Sequence, residues 1–238
     1  MPPNINTPRI KLMLKAIHEH NPEPNRKWPI TFPTLALLCD KLSEPDSLLY
    51  RAALCVAFFG GLRGAEYTYQ GGAGDSSKPL LLNHVTFGHY AGKWYMVLRI
   101  PRTKTRPHGL TIHIGCSGHP VCAVCTMWSY LTVRNTVTVS PTDFLFSLAE
   151  GLPLSKQNMN NKIKALVTML GLPSDKFSTH SLRAGVVTSG AAVGLADWEL
   201  KKLGNWASSV YSQYIREIPE HNISFAQRIA AHDNFANN

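Results

Sequence analysis

The sequence predicts a mainly helical domain that carries one small three-stranded antiparallel β-sheet. Apolar residues recur at helical spacing through most of the chain, while three short runs rich in β-branched and aromatic residues cluster between residues 79 and 114. The 238 residues are 44% hydrophobic, enough for a sizeable core. In order, Ile10, Met13, Leu14 and Ile17 share one face of a helix over 8–20, which the proline-rich NPEPNRKWP ends. Residues 1–30 therefore read as a terminal helix and linker. Two apolar helical patterns follow, Thr31–Leu42 and Ser47–Phe59, the second stopped by Gly60-Gly61. The strands are PLLLNHVTF (79–87), KWYMVLRI (93–100) and GLTIHI (109–114), separated by short Gly- or Pro-containing turns. Helical patterns return at about 120–133, 155–170, 180–193, 197–203, 208–217 and 223–231.

Charge narrows the partners. Lys and Arg number 24 against 15 Asp and Glu, a formal charge of +9, which favours a polyanion. No apolar run reaches the ~18–20 residues that span a bilayer, so nucleic acid is preferred over membrane. The odd number of cysteines, five, points to a reducing compartment. One local cluster, HIGCSGHPVCAVC (113–125), sets His113, Cys116, Cys122 and Cys125 at roughly zinc-like spacings. The competing reading is a turn leading into a helix with Pro120 in its first turn, Cys122 and Cys125 packing inward beside Trp128.

Several fragments can do chemistry. In STHSLRAG (178–185), Ser178 or Thr179 can cap a helix whose first turn carries His180 and Arg183 on one face, where free backbone N–H groups favour an anion; a solvated Arg and a capping-turn His are the plain alternative. In FFGGLRGAEYT (58–68), Arg63 emerges at a sharp turn with Glu66 three residues on to orient it. The basic connection IPRTKTRPHG (100–109) carries Lys104 between Arg102 and Arg106. In NWASSVYSQYIR (205–216), Tyr211 and Tyr214 lie three apart behind Trp206, so helical geometry allows either to face an anion site.

The order of these pieces, with His-x-x-Arg-x-Gly and Gly-x-Trp followed by Tyr-Ile-Arg, resembles the signature of tyrosine recombinases, the phage-integrase family, and most closely its eukaryotic transposon branch (DIRS-like, Ngaro-like and Crypton elements). The resemblance covers about residues 31–220. It implies the DNA breaking-rejoining catalytic fold, with Arg63, Lys104, His180, Arg183, Trp206 and Tyr214 as catalytic residues, Glu66 supporting Arg63, and Arg102, Arg106, Lys201 and Lys202 on DNA. Arg102 and Arg106 are substitutes for Lys104. Tyr214 rather than Tyr211 matches the nucleophile, being followed by Ile-Arg at the transposon branch's distance from the tryptophan. Two guanidiniums can meet charge on the phosphoryl oxygens, the indole N–H donates only, His180 suits a general base, and Lys104 can protonate the leaving 5′ oxygen.

Further implications are no cofactor or catalytic metal, double-stranded DNA as partner, no membrane partner, and a nuclear location. The assembly implied is a tetramer on synapsed DNA, with monomer or dimer when free. Residues 1–30 would be the remnant of an N-terminal DNA-clamping domain. The tail 221–238, with Ile223, Ala226, Ile229 and Ala230 on one helical face, would dock into the next protomer or else fold back on its own domain. A DNA-binding protein without catalysis and a relaxing topoisomerase are the rival functions.

Overall fold

A computed structural model describes residues 27–43, 47–71, 80–101, 108–134, 139–148, 151–204 and 206. The expected helices at 8–20, 208–217 and 223–231, the basic residues Arg102, Lys104 and Arg106, both Tyr211 and Tyr214, and the tail lie outside the described residues.

Within them the elements run α1 (Phe32–Asp40), α2 (Ser47–Phe59), α3 (Gly64–Tyr67), β1 (Val85–Tyr90), β2 (Lys93–Ile100), β3 (Leu110–Gly115), α4 (Ala123–Arg134), α5 (Lys156–Met169), α6 (Thr179–Ala192) and α7 (Asp197–Leu203), with single 3₁₀ turns at Leu82–His84 and Ser174–Lys176. The first strand starts later than its composition suggests, because Leu82–His84 curls into a 3₁₀ turn in which Leu81 N–H donates to His84 Nδ1 at 3.1 Å. The body also starts earlier than residue 31. Trp28 N–H donates to Lys176 O at 2.7 Å, Ile30 N–H to Ser181 O at 2.9 Å, and Ile30 is fully buried, so the linker's end is part of the core.

Helix α2 is apolar around most of its circumference, with Arg51 as its one charged residue, as suits a helix largely surrounded by protein. Leu49, Tyr50 and the seven consecutive residues from Ala52 to Phe58 are buried, and α2 packs against α4 and α6. Around this axis α1, α4 and α5 each bury one stripe, whereas α6 is buried at every position from Ser181 to Thr188. The sheet has the order β1-β2-β3 and is antiparallel throughout, with Val85 opposite Leu98, Tyr90 opposite Lys93, and Ile100 opposite Leu110. Between β1 and β2 the turn is Ala91-Gly92, both at positive φ (48° and 77°), the backbone of a two-residue hairpin whose twist suits the flanking strands. Met96, Leu98, Ile100, Ile112 and Ile114 form the buried face, which rests on α4. Trp128 of α4 meets Phe87 edge-on at 5.1 Å and remains 55% exposed, and Cys125 is also exposed, so the inward packing of Cys125 beside Trp128 does not occur. Helix α4 begins at Ala123, leaving Pro120 ahead of the helix rather than in its first turn.

Candidate active site

Three loops meet at one point because three glycines let them. Gly61 stands at φ 56°, a conformation L side chains rarely adopt, and a methyl group there would come within 2.5 Å of the Leu203 carbonyl oxygen at the end of α7. Gly64 abuts the start of α6, where a methyl would press on Thr179 Oγ1 at 2.8 Å. Gly204 carries the indole of Trp206 directly on its Cα, with no room for a side chain. The turn after α2, the first turn of α6 and the segment after α7 are thereby held in mutual contact.

Arg183 joins them. Its Nη1 donates to Gly61 O and its Nη2 to Gly204 O at 2.7 Å, while the guanidinium lies over the Trp206 ring, 4.2 Å from its centroid. The residue is 3% exposed, and a charge so deep requires such partners: carbonyl dipoles along the plane of the fork and the π face against it. Lysine has neither the plane nor the two-pronged reach.

Arg63 is placed differently. Its backbone N–H donates to Glu66 Oε2 at 2.7 Å and its Nη1 to Glu66 Oε1 at 2.9 Å. Glu66 is 4% exposed whereas the Arg63 side chain is 40% exposed, so a buried carboxylate aims a guanidinium that still reaches solvent. That geometry fits an arginine waiting for an anion.

At the start of α6, Ser178 is the cap. Its Oγ accepts from His180 N–H at 3.3 Å and its carbonyl from Ser181 N–H at 2.9 Å, while Thr179 N–H donates to Asn160 Oδ1 at 2.9 Å. The expected free N–H groups are therefore occupied, and an anion here would be held by side chains instead. His180 itself lies at the surface of this turn. Partial burial of its ring, then the Arg183 guanidinium, hold its pKa below the ordinary 6.5, so the imidazole is neutral at physiological pH and has a nitrogen able to accept a proton.

The structure thus brings the Arg63, His180, Arg183 and Trp206 segments together, with Glu66 behind Arg63. Lys201 and Lys202 lie on α7: the Lys201 carbonyl accepts from Trp206 N–H at 3.0 Å while its Nζ pairs with Asp197 Oδ2 at 2.7 Å, and Lys202 is exposed. Sequence reasoning passed over Asn160, whose side chain reaches from α5 to the start of α6, and Lys156, whose Cε approaches the Gly64–Thr179 junction. Neither carries a local signal, since one Asn or Lys among several on a polar helix face looks like any other. Gly185, the glycine of His-x-x-Arg-x-Gly, has a packing role that the motif does not state: a methyl there would collide with the Ile30 carbonyl, so the glycine lets the incoming chain lie on α6.

No protein-family model and no curated protein matches the chain by sequence. Solved structures do match by fold. The XerH site-specific recombinase, in a post-cleavage complex with palindromic difH substrate, aligns at TM-score 0.62 and 16% identity over 87% of this chain and 54% of the recombinase. The XerA recombinase aligns at 0.58 and 17%, over 92% and 72%. The Tn1549 transposon integrase, in complex with circular intermediate DNA, aligns at 0.55 and 14%, over 95% and 71%. The chain spans about half the length of XerH. Its fold is that of tyrosine recombinase catalytic domains.

Proposed function

We propose that this chain is the catalytic part of a site-specific DNA recombinase or integrase that cleaves and rejoins strands through a 3′-phosphotyrosine intermediate. The observation that carries the reading is the junction tied by Arg183, which gathers Arg63, His180 and Trp206 in a fold shared with recombinases. In this reading the Tyr214 phenol oxygen attacks the scissile phosphorus as its proton passes to the neutral His180. The 5′ oxygen leaves with a proton from Lys104, giving a phosphotyrosine and a free 5′-hydroxyl. Arg63 meets the charge on the non-bridging oxygens directly, and Arg183 adds its positive field while holding the loops. Because the phosphotyrosine conserves the bond energy, rejoining is the same step reversed and needs neither ATP nor metal.

The finer reading is of a mobile-element enzyme acting in a nucleus on double-stranded DNA, as a tetramer at synapsis and monomer or dimer when free. Arg102, Arg106, Lys201 and Lys202 would contact the duplex. The basic excess supports the DNA partner, and the sequence motifs support the transposon branch.

The test incubates the full chain with a pool of nicked suicide duplexes of randomised sequence and recovers DNA linked to protein in SDS. A covalent adduct that is lost in Tyr214→Phe and kept in Tyr211→Phe is expected. Gel-shifted DNA with no adduct across the pool would leave a DNA-binding protein only. Adducts together with relaxation of a supercoiled plasmid supplied in a parallel reaction, but no strand exchange, would indicate a topoisomerase.

A further inference from the structure

A second cluster of reactive side chains lies away from this junction, where β3 hands over to α4. Cys116 follows the last residue of β3, Cys122 precedes the first residue of α4, and Cys125 sits in that helix's first turn. Their three sulfurs all lie within 4.8 Å of one another, with Cys116 Sγ 3.5 Å from that of Cys125 and 3.7 Å from that of Cys122. A disulfide needs about 2.05 Å, and all three are free thiols. Two thiolates sharing a tetrahedral zinc at bonds of about 2.3 Å stand about 3.8 Å apart. The separations at Cys116 are close to that edge length.

We propose that Cys116, Cys122 and Cys125 form a structural metal site for one thiophilic divalent cation, zinc, whose fourth ligand comes from solvent. Burial grades across the set, from buried Cys122 through Cys116 to exposed Cys125, so one side is anchored and the other open for metal entry and an exchangeable ligand. Ser117 N–H donates to Cys122 Sγ at 3.4 Å, the kind of outer-shell bond that holds a thiolate in place. Gly118, at φ 69°, turns the intervening loop back. The histidines of the segment are committed elsewhere. His119 Nδ1 accepts from Val121 N–H at 3.0 Å and its ring meets Phe32 edge-on at 5.0 Å, while His113 points from the exposed face of β3 beside Tyr95. The donor set is therefore three thiolates and not the His-Cys mixture its spacing suggests. The buried pair Cys39 and Cys55, with sulfurs 4.0 Å apart, offers two donors and no access, and serves as the internal control. The bound ion would fasten the end of β3 to α4.

The test measures metal by mass spectrometry on the full chain purified in reductant and dialysed against trace zinc, then replaces the metal with Co²⁺ and records the visible spectrum. About one zinc per chain and a thiolate-to-cobalt charge-transfer band are expected. Cys116→Ser, Cys122→Ser and Cys125→Ser should each lower the metal content at least about tenfold, whereas Cys39→Ala should leave it unchanged. Cys125 is exposed, so Cys125→Ser tests the site even if the buried Cys122→Ser fails to fold. A natively folded wild type without metal, or a Cys125→Ser protein that keeps it, overturns the proposal. So does an intact mass about 2 Da low from a Cys116–Cys125 disulfide under these conditions.

Discussion

Arg183 is the residue on which the junction turns, because a buried guanidinium that satisfies two backbone carbonyls and covers an indole cannot be removed without leaving those carbonyls unpaired. Arg183→Lys should lower unfolding stability by about 2–3 kcal/mol, read as a shift of the urea midpoint, as well as abolish adduct formation. A purely chemical role would leave the midpoint in place. His180 adds a pH dependence. Its pKa is depressed in the folded chain, so the unfolded state binds more protons once pH falls below 6.5; stability from this group is present above 6.5 and declines through the window down to the depressed value. The adduct-forming rate should fall in the same direction, and His180→Gln should remove that part of the acid limb. Tyr67 is the opposite case. Its hydroxyl is buried with no hydrogen-bond partner among the described residues, so Tyr67→Phe should keep or raise the melting temperature.

At the scale of elements, the approach of Gly61 to the Leu203 carbonyl and of Gly185 to the Ile30 carbonyl sets backbone against backbone. Helix α6 accepts the entering chain because Gly185 lies under Ile30, whose N–H is bonded to Ser181 O. Gly185→Ala should therefore cost about 3 kcal/mol in denaturant unfolding, since the colliding atom is a carbonyl that cannot swing aside. The start of the same helix depends on α5 through Asn160. Asn160→Ala leaves Thr179 N–H without its acceptor and should destabilise by about 1 kcal/mol while slowing cleavage more than it weakens DNA binding. The β1–β2 hairpin stands apart from these constraints, its turn set by two residues at positive φ.

The whole molecule is a helical body around α2 with a three-stranded sheet resting on α4, and its positive charge exceeds its negative by nine. Binding to DNA should accordingly weaken steeply with salt. Lys202→Gln, at an exposed position on α7, should reduce the slope of log affinity against log salt by about 0.9 if that lysine meets a phosphate, with folding unchanged. An unaltered slope would take α7 out of the DNA-binding face.

By itself the sequence determined the helical body, the three-strand insertion, the apolar helix and the Arg63–Glu66 pair. Each of these rests on local periodicity or on residue types at short spacing: Ser47–Phe59 is apolar at nearly every position, and Glu66 lies three residues from Arg63. The tertiary structure alone decided which backbones touch. Nothing local says that Gly61 meets Leu203, that Asn160 occupies the N–H of Thr179, or that Arg183 spans from Gly61 to Gly204. Those pairings depend on how close two chain segments approach after folding, a distance that one segment's composition does not contain. The same reason separates the thiols from the histidines at 113–125. Spacing offered four ligands, and only the register of β3 and the first turn of α4 selected three sulfurs among them.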